Sequence, residues 1–495
     1  MSFVDISKEL LNKTLTENGD VAFKSSLSPC LDYFSLVGGK RNFPYDVFNL
    51  FLKAYYEDRN TALKLLFYTR DIKEGLGERR IFRLLFNSLC VSYPNIAKEL
   101  VQFIPIYGRF DDLLCVLKTP VEDIAIELIT KQLEEDLINK KLGKPISLLA
   151  KWLPSINTSN AEAREYALYL ADKLNLSKAD YRKTLSYLRD GLIIENNLRL
   201  SQYDFDYSSV PSLAFNKYHK AFERNDTFRF NQFIGKVSHG EEKMHVDVLD
   251  VTKYVREIKR DIISNTCKSN EYYEAAWKEL TKDASINKRT IVVRDGSASM
   301  TWIFNSSTSS LDIADAMTLL TAERLEGEFH NRFITFSEHP EFVDLSNVDG
   351  IVDKLKILQT HDDCSNTNIE KVYKLILDVY KHPDFKKEDM LEQILIISDM
   401  EFDVLSTDKD ISTFEYFKKE FESLDCPLPE IIFWNVMARS NHLPVTKNEE
   451  GVKIISGDSK NVIDIVMMNE SLNPLEFMYR VLEKYHFIDD IKFEE

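Results

Sequence analysis

No Cys-x-x-Cys pair occurs anywhere in the 495 residues; the six cysteines, Cys30, Cys90, Cys115, Cys267, Cys364 and Cys426, are scattered. Their spacing excludes a zinc ribbon and a disulfide framework and points to a reducing, cytoplasmic compartment. No apolar stretch approaches the length of a membrane helix, and Met1-Ser2-Phe3-Val4-Asp5 has neither a basic nor an apolar leader region, so no membrane association is expected. The nine histidines form no His-Glu-x-x-His and no close pair at ligand spacing. A Gly-x-Ser-x-Gly elbow and a Gly-rich phosphate loop ending in Lys-Ser/Thr are missing too, so the chain is expected not to be an enzyme.

A surplus of base is also lacking. Net charge is −17, but the acid is unevenly placed: residues 1–290 carry 43 Lys and Arg against 40 Asp and Glu, and the remainder 20 against 40. An anion-binding surface is therefore admissible in the first part and disfavoured in the second. The length exceeds what one core usually supports, and 44% hydrophobic residues suffice for large cores, so two or more domains are expected.

What is present begins at residues 291–300, Ile-Val-Val-Arg-Asp-Gly-Ser-Ala-Ser-Met. The short β-branched run reads as a buried parallel strand that delivers Asp295, Ser297 and Ser299 to a turn. One carboxylate and two hydroxyls suit a hard cation such as Mg²⁺. Two further oxygen donors fall where an open α/β sheet would bring them: Thr367, before the helical pattern Ile369, Val372, Leu375, Ile376, and Asp399, at the end of the apolar run 393–398. In doubly wound sheets, ligands sit outside the carboxyl ends of the strands, where these groups would converge. The apolar runs 431–434 and 452–455, with helices from Asn461 and Pro474, complete an alternating α/β pattern.

The order Asp295-x-Ser297-x-Ser299, Thr367, Asp399 resembles the metal-ion-dependent adhesion site of the von Willebrand factor type A domain. The resemblance implies that Ser297, Ser299 and Thr367 bind Mg²⁺ or another divalent cation directly, that Asp295 and Asp399 act partly through water, and that one coordination position stays open for a partner's carboxylate. A vestigial site on the same fold is the alternative. A phosphatase of the haloacid dehalogenase type would want a second Asp two residues after the first, where Ser297 stands. A nuclease would need two or more carboxylates on its metals. Asp295 and Asp399 could supply two, but the hydroxyl residues match adhesion chemistry better.

Residues 45–224 read as successive amphipathic helices. Val47, Phe48, Phe51, Ala54 and Tyr55 form one stripe, Ala62, Leu65, Leu66 and Thr69 a second, and Ile81, Leu84, Leu85 and Phe86 a third. Ile96, Ala97, Leu100 and Val101 follow a Pro94-Asn95 helix entry. The spacing predicts an irregular helical solenoid without an assignable period. Residues 235–243 read as an exposed loop, the stripes Val255, Ile258, Ile262, Ile263 and Tyr272, Ala275, Ala276, Leu280 as helices, and 281–287 as a polar linker that marks the domain boundary.

The segments 70–80, 107–114, 150–155, Tyr181-Arg182-Lys183-x-Leu185-Ser186 and Val210-Pro211-Ser212-Leu213-Ala214 resemble the TROVE module of the Ro autoantigen family, in a divergent branch. A helical TROVE module followed by a type A domain is the family's order as well. The resemblance implies a multidomain protein: an all-α, HEAT-like helical solenoid or ring over 1–285, then a doubly wound type A α/β domain over 286–495. It further implies a Ro-like ribonucleoprotein scaffold that grips small, misfolded or single-stranded RNA, with its metal site recruiting a partner. Candidate RNA-binding groups are Lys73, Arg79, Arg80, Arg109, Lys144, Lys151, Arg182, Lys183 and Arg189, with Tyr107, Trp152 and Tyr181 nearby. Arg109 beside Asp111 and Asp112 reads as a buried ion pair, and Trp152 as core. A metal-dependent protein adaptor without RNA binding is the alternative function, and a monomer is favoured.

Overall fold

The computed structural model describes residues 3–191, 194–246, 251–264, 270–282, 285–303, 308–336, 338–362, 368–404, 411–459, 461–467 and 472–493. The chain forms two compact units, neither continuous in sequence: residues 1–65 with 207–484, and residues 66–206 with 485–495. The N-terminal region is helical apart from a small hairpin of β1 (Lys13–Leu15) and β2 (Val21–Phe23), which no periodicity announced because each strand has only three residues.

The first unit is organised by a six-stranded sheet. Its strands are β3 (Thr290–Asp295), β4 (Arg332–Phe336), β5 (Phe342–Asp344), β6 (Gln393–Ser398), β7 (Glu430–Asn435) and β8 (Val452–Ser456). They lie in the order β5-β4-β3-β6-β7-β8, with β5 antiparallel and the other pairs parallel. Every residue of β3 and β6 is buried, as expected of parallel strands covered on both faces, with the apolar cores 291–293 and 394–397 flanked by polar residues at the strand ends. From β3 the chain moves outward to β4 and β5, returns to pair β6 on the other flank of β3, and continues to β8. The strand order therefore reverses between β3 and β6.

Helix Ser310–Arg324 packs on β3 and β6 and is buried almost all round, which explains its lack of a polar face. Ser309 and Asp312 cap its start reciprocally. Its one deeply buried acid, Asp315, takes Arg294 Nε at 2.7 Å and Lys259 Nζ at 2.7 Å. Arg294, itself fully buried, also pairs with Asp362. Asp362 thus belongs to the charge network under the sheet, although the surrounding His-Asp-Asp-Cys reads as a polar loop.

Two sequence expectations need correction in this unit. Gly235 to Val237 are not loop but the last turns of helix Thr227–Ser238, whose Phe230, Phe233, Ile234 and Val237 form a buried i, i+3, i+4, i+7 stripe. Ile263 belongs to helix Val251–Ile263 but is exposed, while Val255 and Ile258 carry its buried face.

The second unit is built from helices, the longest being Arg79–Ser92, Glu122–Lys141, Ala161–Lys173 and Lys178–Arg189. Leu84 is exposed on the first of these; Ile81, Phe82, Leu85 and Phe86 face the core. Asp112 is its main polar anchor. This fully buried carboxylate accepts from Arg70 Nε at 2.8 Å, Arg83 Nε at 2.7 Å and the Arg109 backbone N–H at 2.8 Å. Arg70 and Arg83, and not the Arg109 side chain, are therefore the partners of the Asp111-Asp112 pair. Gly108 is dictated by the same junction, since a Cβ there would stand 2.5 Å from Asp112 Oδ2. The C-terminal segment returns to this unit: Phe487 stacks on Tyr107 at 5.2 Å, and the Tyr485 hydroxyl donates to Asp71 Oδ2 at 3.0 Å.

A pH dependence follows from His219 in helix Ser212–Asn225. The ring is 3% exposed, stacks on Tyr272 at 4.2 Å and donates from Nδ1 to the Asn216 carbonyl at 2.7 Å. Burial pushes its pKa down to about 4. A histidine whose folded pKa lies below its unfolded value of about 6.5 contributes nothing adverse above that value, and its protonation favours the unfolded chain as pH falls toward 4. Stability is expected to drop by about 3 kcal/mol from this residue over that window. Urea denaturation at neutral pH and near pH 4.5 should show a smaller acid loss for His219→Phe than for the wild type; equal losses would remove His219 as a cause.

Candidate functional site

Asp295 is the last residue of β3, and Asp399 follows the last residue of its neighbour β6, so the strand pairing itself brings the two carboxylates to one edge. Both are buried, with Asp295 fully enclosed and Asp399 at 2% exposure. Asp295 Oδ1 accepts the Ser297 N–H at 2.9 Å and Oδ2 the Ser398 hydroxyl at 2.6 Å. The hydroxyls of Ser297 and Ser299 lie 3.1 Å apart. Burial raises the pKa of Asp295, and the nearby Asp399 charge adds to it. Burial raises that of Asp399 as well, opposed by Arg439 and by a hydrogen bond from Ser299. Met400, next in the chain, has a left-handed φ of 66°, a strained conformation for a non-glycine residue immediately beside the carboxylate. Thr367 lies outside the described residues.

The nearest cation to this pair is a side chain. Arg439 Nη2 donates to Asp399 Oδ2 at 2.9 Å, Nη1 meets Glu17 Oε2 at 2.7 Å, and the guanidinium lies 5.0 Å from the centre of the Trp302 ring. Glu17 stands in the turn of the β1–β2 hairpin, and its N–H donates to Glu401 Oε2 at 2.7 Å. The Ser440 hydroxyl donates to the other Glu401 oxygen at 2.7 Å. Sequence reading missed Ser398, Glu401, Arg439 and Glu17. The first two adjoin Asp399 and Arg439 follows the end of β7, so all three could have been sought at strand ends. Nothing local marks Glu17.

Two buried carboxylates and two adjacent hydroxyls are a hard-oxygen donor set of the kind Mg²⁺ or Ca²⁺ takes. Arg439 supplies the positive charge that two such carboxylates require, and a divalent cation could do the same. Removing one partner of a buried pair usually costs about 3–5 kcal/mol. Arg439→Gln is expected to lose roughly that much in EDTA and to regain part of it in millimolar Mg²⁺, read as thermal midpoints. No response to metal in either wild type or variant would rule out a cation site here.

In the helical unit the nine cations nominated from sequence fall into groups. Arg79 and Arg80 open helix Arg79–Ser92 and are exposed, and Arg79 lies 4.0 Å from Asp111. Lys73 and Lys144 are exposed in connections, apart from the others in the chain. Arg109 and Lys151 share Trp152: the guanidinium is 4.3 Å and the ammonium 5.3 Å from the centre of its ring. Trp152 is half-buried, not core. Burial holds Lys151 below the usual lysine range, with Arg109 adding to the effect and Glu195 opposing it. Arg182 and Lys183 are exposed on helix Lys178–Arg189.

Arg189, at the end of that helix, donates to the carbonyls of Ala150 at 2.7 Å and Leu153 at 2.6 Å and to the Ser155 hydroxyl. The Tyr181 hydroxyl donates to Pro154 O at 2.9 Å. Helix Lys178–Arg189 thereby fixes the turn that carries Lys151 and Trp152. A cleft of about 280 Å³ opens beside this turn, bordered by Arg182, Arg189 and Arg199. Arg199 was not among the nominated cations. A broader hollow of about 860 Å³, with Arg79, Arg83 and Tyr166 on its walls, reaches Pro154 of the same turn.

Residues 289–486 match a family described as domain of unknown function DUF7788, and residues 16–105 and 158–289 one described as domain of unknown function DUF2828. An uncharacterized protein of Acanthamoeba polyphaga mimivirus, L728, is 30% identical over an alignment covering 96% of this chain and 88% of the viral one. The chain belongs to the family of that mimivirus protein. Within this family the candidate carboxylates fall in the DUF7788 part and the Arg79–Arg80 pair in the DUF2828 part. Among solved structures, that of the Deinococcus radiodurans RO (RSR) protein is similar at 14% identity and a TM-score of 0.43, over 83% of this chain and 91% of the other. At that score the likeness transfers neither fold nor function. No described helix is long and apolar enough to cross a membrane.

Proposed function

We propose that this protein is a non-enzymatic, Ro-like RNA-binding scaffold: its helical unit holds small or single-stranded RNA, and its α/β domain, of von Willebrand factor type A character, recruits a partner through a divalent cation. One observation carries the RNA part. Of the nine nominated cations only Arg79 lies within 4.0 Å of an acid; Lys73, Arg80, Arg109, Lys144, Arg182, Lys183 and Arg189 have no acidic partner among the described residues, and Lys151 feels Glu195 only at longer range. Other cations of the same unit are neutralised: Arg70 and Arg83 by Asp111 and Asp112, Lys118 by Glu165, Lys173 by Glu122. A unit with no large surplus of base can bind a polyanion only if its cations are segregated in this way. Trp152 with its two cations offers the aromatic and guanidinium planes on which unstacked bases rest.

For the α/β domain, Asp295, Ser297, Ser299 and Asp399 would hold Mg²⁺, with Thr367 as the fifth candidate from the sequence resemblance. The ion would present a positive centre to which a partner's carboxylate could bind. That donor set is also what favours the second reading, a metal-dependent protein adaptor that binds no RNA.

Exchanging Arg109, Lys151 and Arg182 together for Gln separates the two readings. Single strands lose about 0.7 in the salt-dependence slope for each phosphate contact removed, so the triple variant should bind a single-stranded RNA more weakly with a slope smaller by about 2. Fluorescence anisotropy across a salt series reads both quantities. Unchanged affinity and slope, or no RNA binding by the wild type, would leave the adaptor.

A further inference from the structure

The cleft beside the Ala150–Ser155 turn has an electrostatic peculiarity. Ten residues line it, three are arginines, and none is an acid. Arg182 and Arg199 are exposed and have no acidic partner among the described residues. Arg189 is half-buried, and its charge is answered only by two backbone carbonyls and a serine hydroxyl. Burial accordingly depresses its pKa, with no carboxylate acting against the shift. A guanidinium withdrawn from water without a counter-charge is costly, and two more facing the same hollow add to the demand for an anion. Asn157, Ser186 and Asn196 furnish neutral donors around the same space.

Size and charge select the anion. At about 280 Å³ the cleft lies just below the usual range of roughly 300–1,000 Å³ for small-molecule sites, so it has room for one nucleotide and not for a duplex. An internal phosphodiester brings one negative charge. A terminal phosphate monoester brings about −1.5 to −2 at neutral pH and three strong acceptor oxygens. Arginine forks match such a group bidentately, and Arg189 retains two of its five N–H donors after its three fixed hydrogen bonds.

We infer that the cleft formed by Arg182, Arg189 and Arg199 binds the terminal phosphate monoester of an RNA strand, so that the helical unit selects for phosphorylated ends. The inference rests on the RNA-binding reading and adds the chemistry of the end that is gripped. Arg189 sets the turn and presents a fixed charge; Arg182 and Arg199 close on the phosphate from exposed positions.

The test uses the full chain and one single-stranded oligoribonucleotide sequence in three forms, with a 5′-phosphate, a 3′-phosphate or hydroxyls at both ends. Adenosine monophosphate serves as the free-nucleotide probe. One phosphorylated form should bind at least about tenfold more tightly than the hydroxyl form, and the preference should vanish in Arg182→Gln/Arg199→Gln. Neither side chain has an acidic partner among the described residues, so that variant should keep its thermal midpoint, and its affinity for the hydroxyl form should fall by no more than the one general phosphate contact that Arg182 supplies. Equal affinities for all three forms would overturn the inference and leave RNA binding standing. Binding of adenosine monophosphate without binding of any oligonucleotide would overturn both and identify a free-nucleotide pocket. Loss of all RNA binding in the double variant, hydroxyl form included, would overturn end selection in favour of a general backbone contact.

Discussion

The parallel pairing of β3 with β6 organises the α/β part of this protein, because the strand order reverses between them and both strands end in the chemistry of the candidate site. Five residue pairs join the two strands and all are buried, so the register is held by the packing of apolar residues 291–293 against 394–396 and cannot slip without displacing Asp295 from Asp399. Beneath the edge, Arg294 and Lys259 neutralise Asp315; above it, Arg439 bridges Asp399 and Glu17. The sheet edge thus has a structural charge network on one side of the strand ends and an oxygen-rich cluster at them. The strain at Met400 falls at the junction, where the chain leaves β6.

The helical unit applies a different rule to its charges. Pairs that fix helices to one another are buried and multiply bonded, Asp112 with its two arginines above all. Arg189 is instead held by carbonyls and a hydroxyl, and Arg109 and Lys151 lie against the Trp152 ring. Such contacts orient a guanidinium without neutralising it, which preserves its attraction for phosphate.

How much of this was legible beforehand depended on the distance over which each feature is defined. The buried strands and the placing of Asp295 and Asp399 at their ends could be read because apolar runs and the residues that terminate them are contiguous. Glu17 could not, since it reaches Glu401 across 384 positions. Arg109 was matched to Asp111 and Asp112 because they adjoin it in sequence. Arg70, 42 positions before Asp112, and Arg83, 29 before it, take those oxygens, and Arg109 is left free to stack on Trp152. The limits of the compact units were equally hidden. Residues 485–495 belong with helices more than three hundred residues earlier through Tyr485 and Phe487, a contact no local pattern encodes.

The central claim is that the cations without acidic partners in the helical unit exist to hold RNA. Ultraviolet cross-linking of a single-stranded RNA to the full chain, followed by peptide mapping, tests it most directly. The account predicts cross-links on the peptide that carries Trp152 and on those spanning Arg182 to Arg199, abolished by competing RNA and by high salt. Cross-links confined to residues 290–484, or none in the presence of Mg²⁺ at low salt, would contradict it.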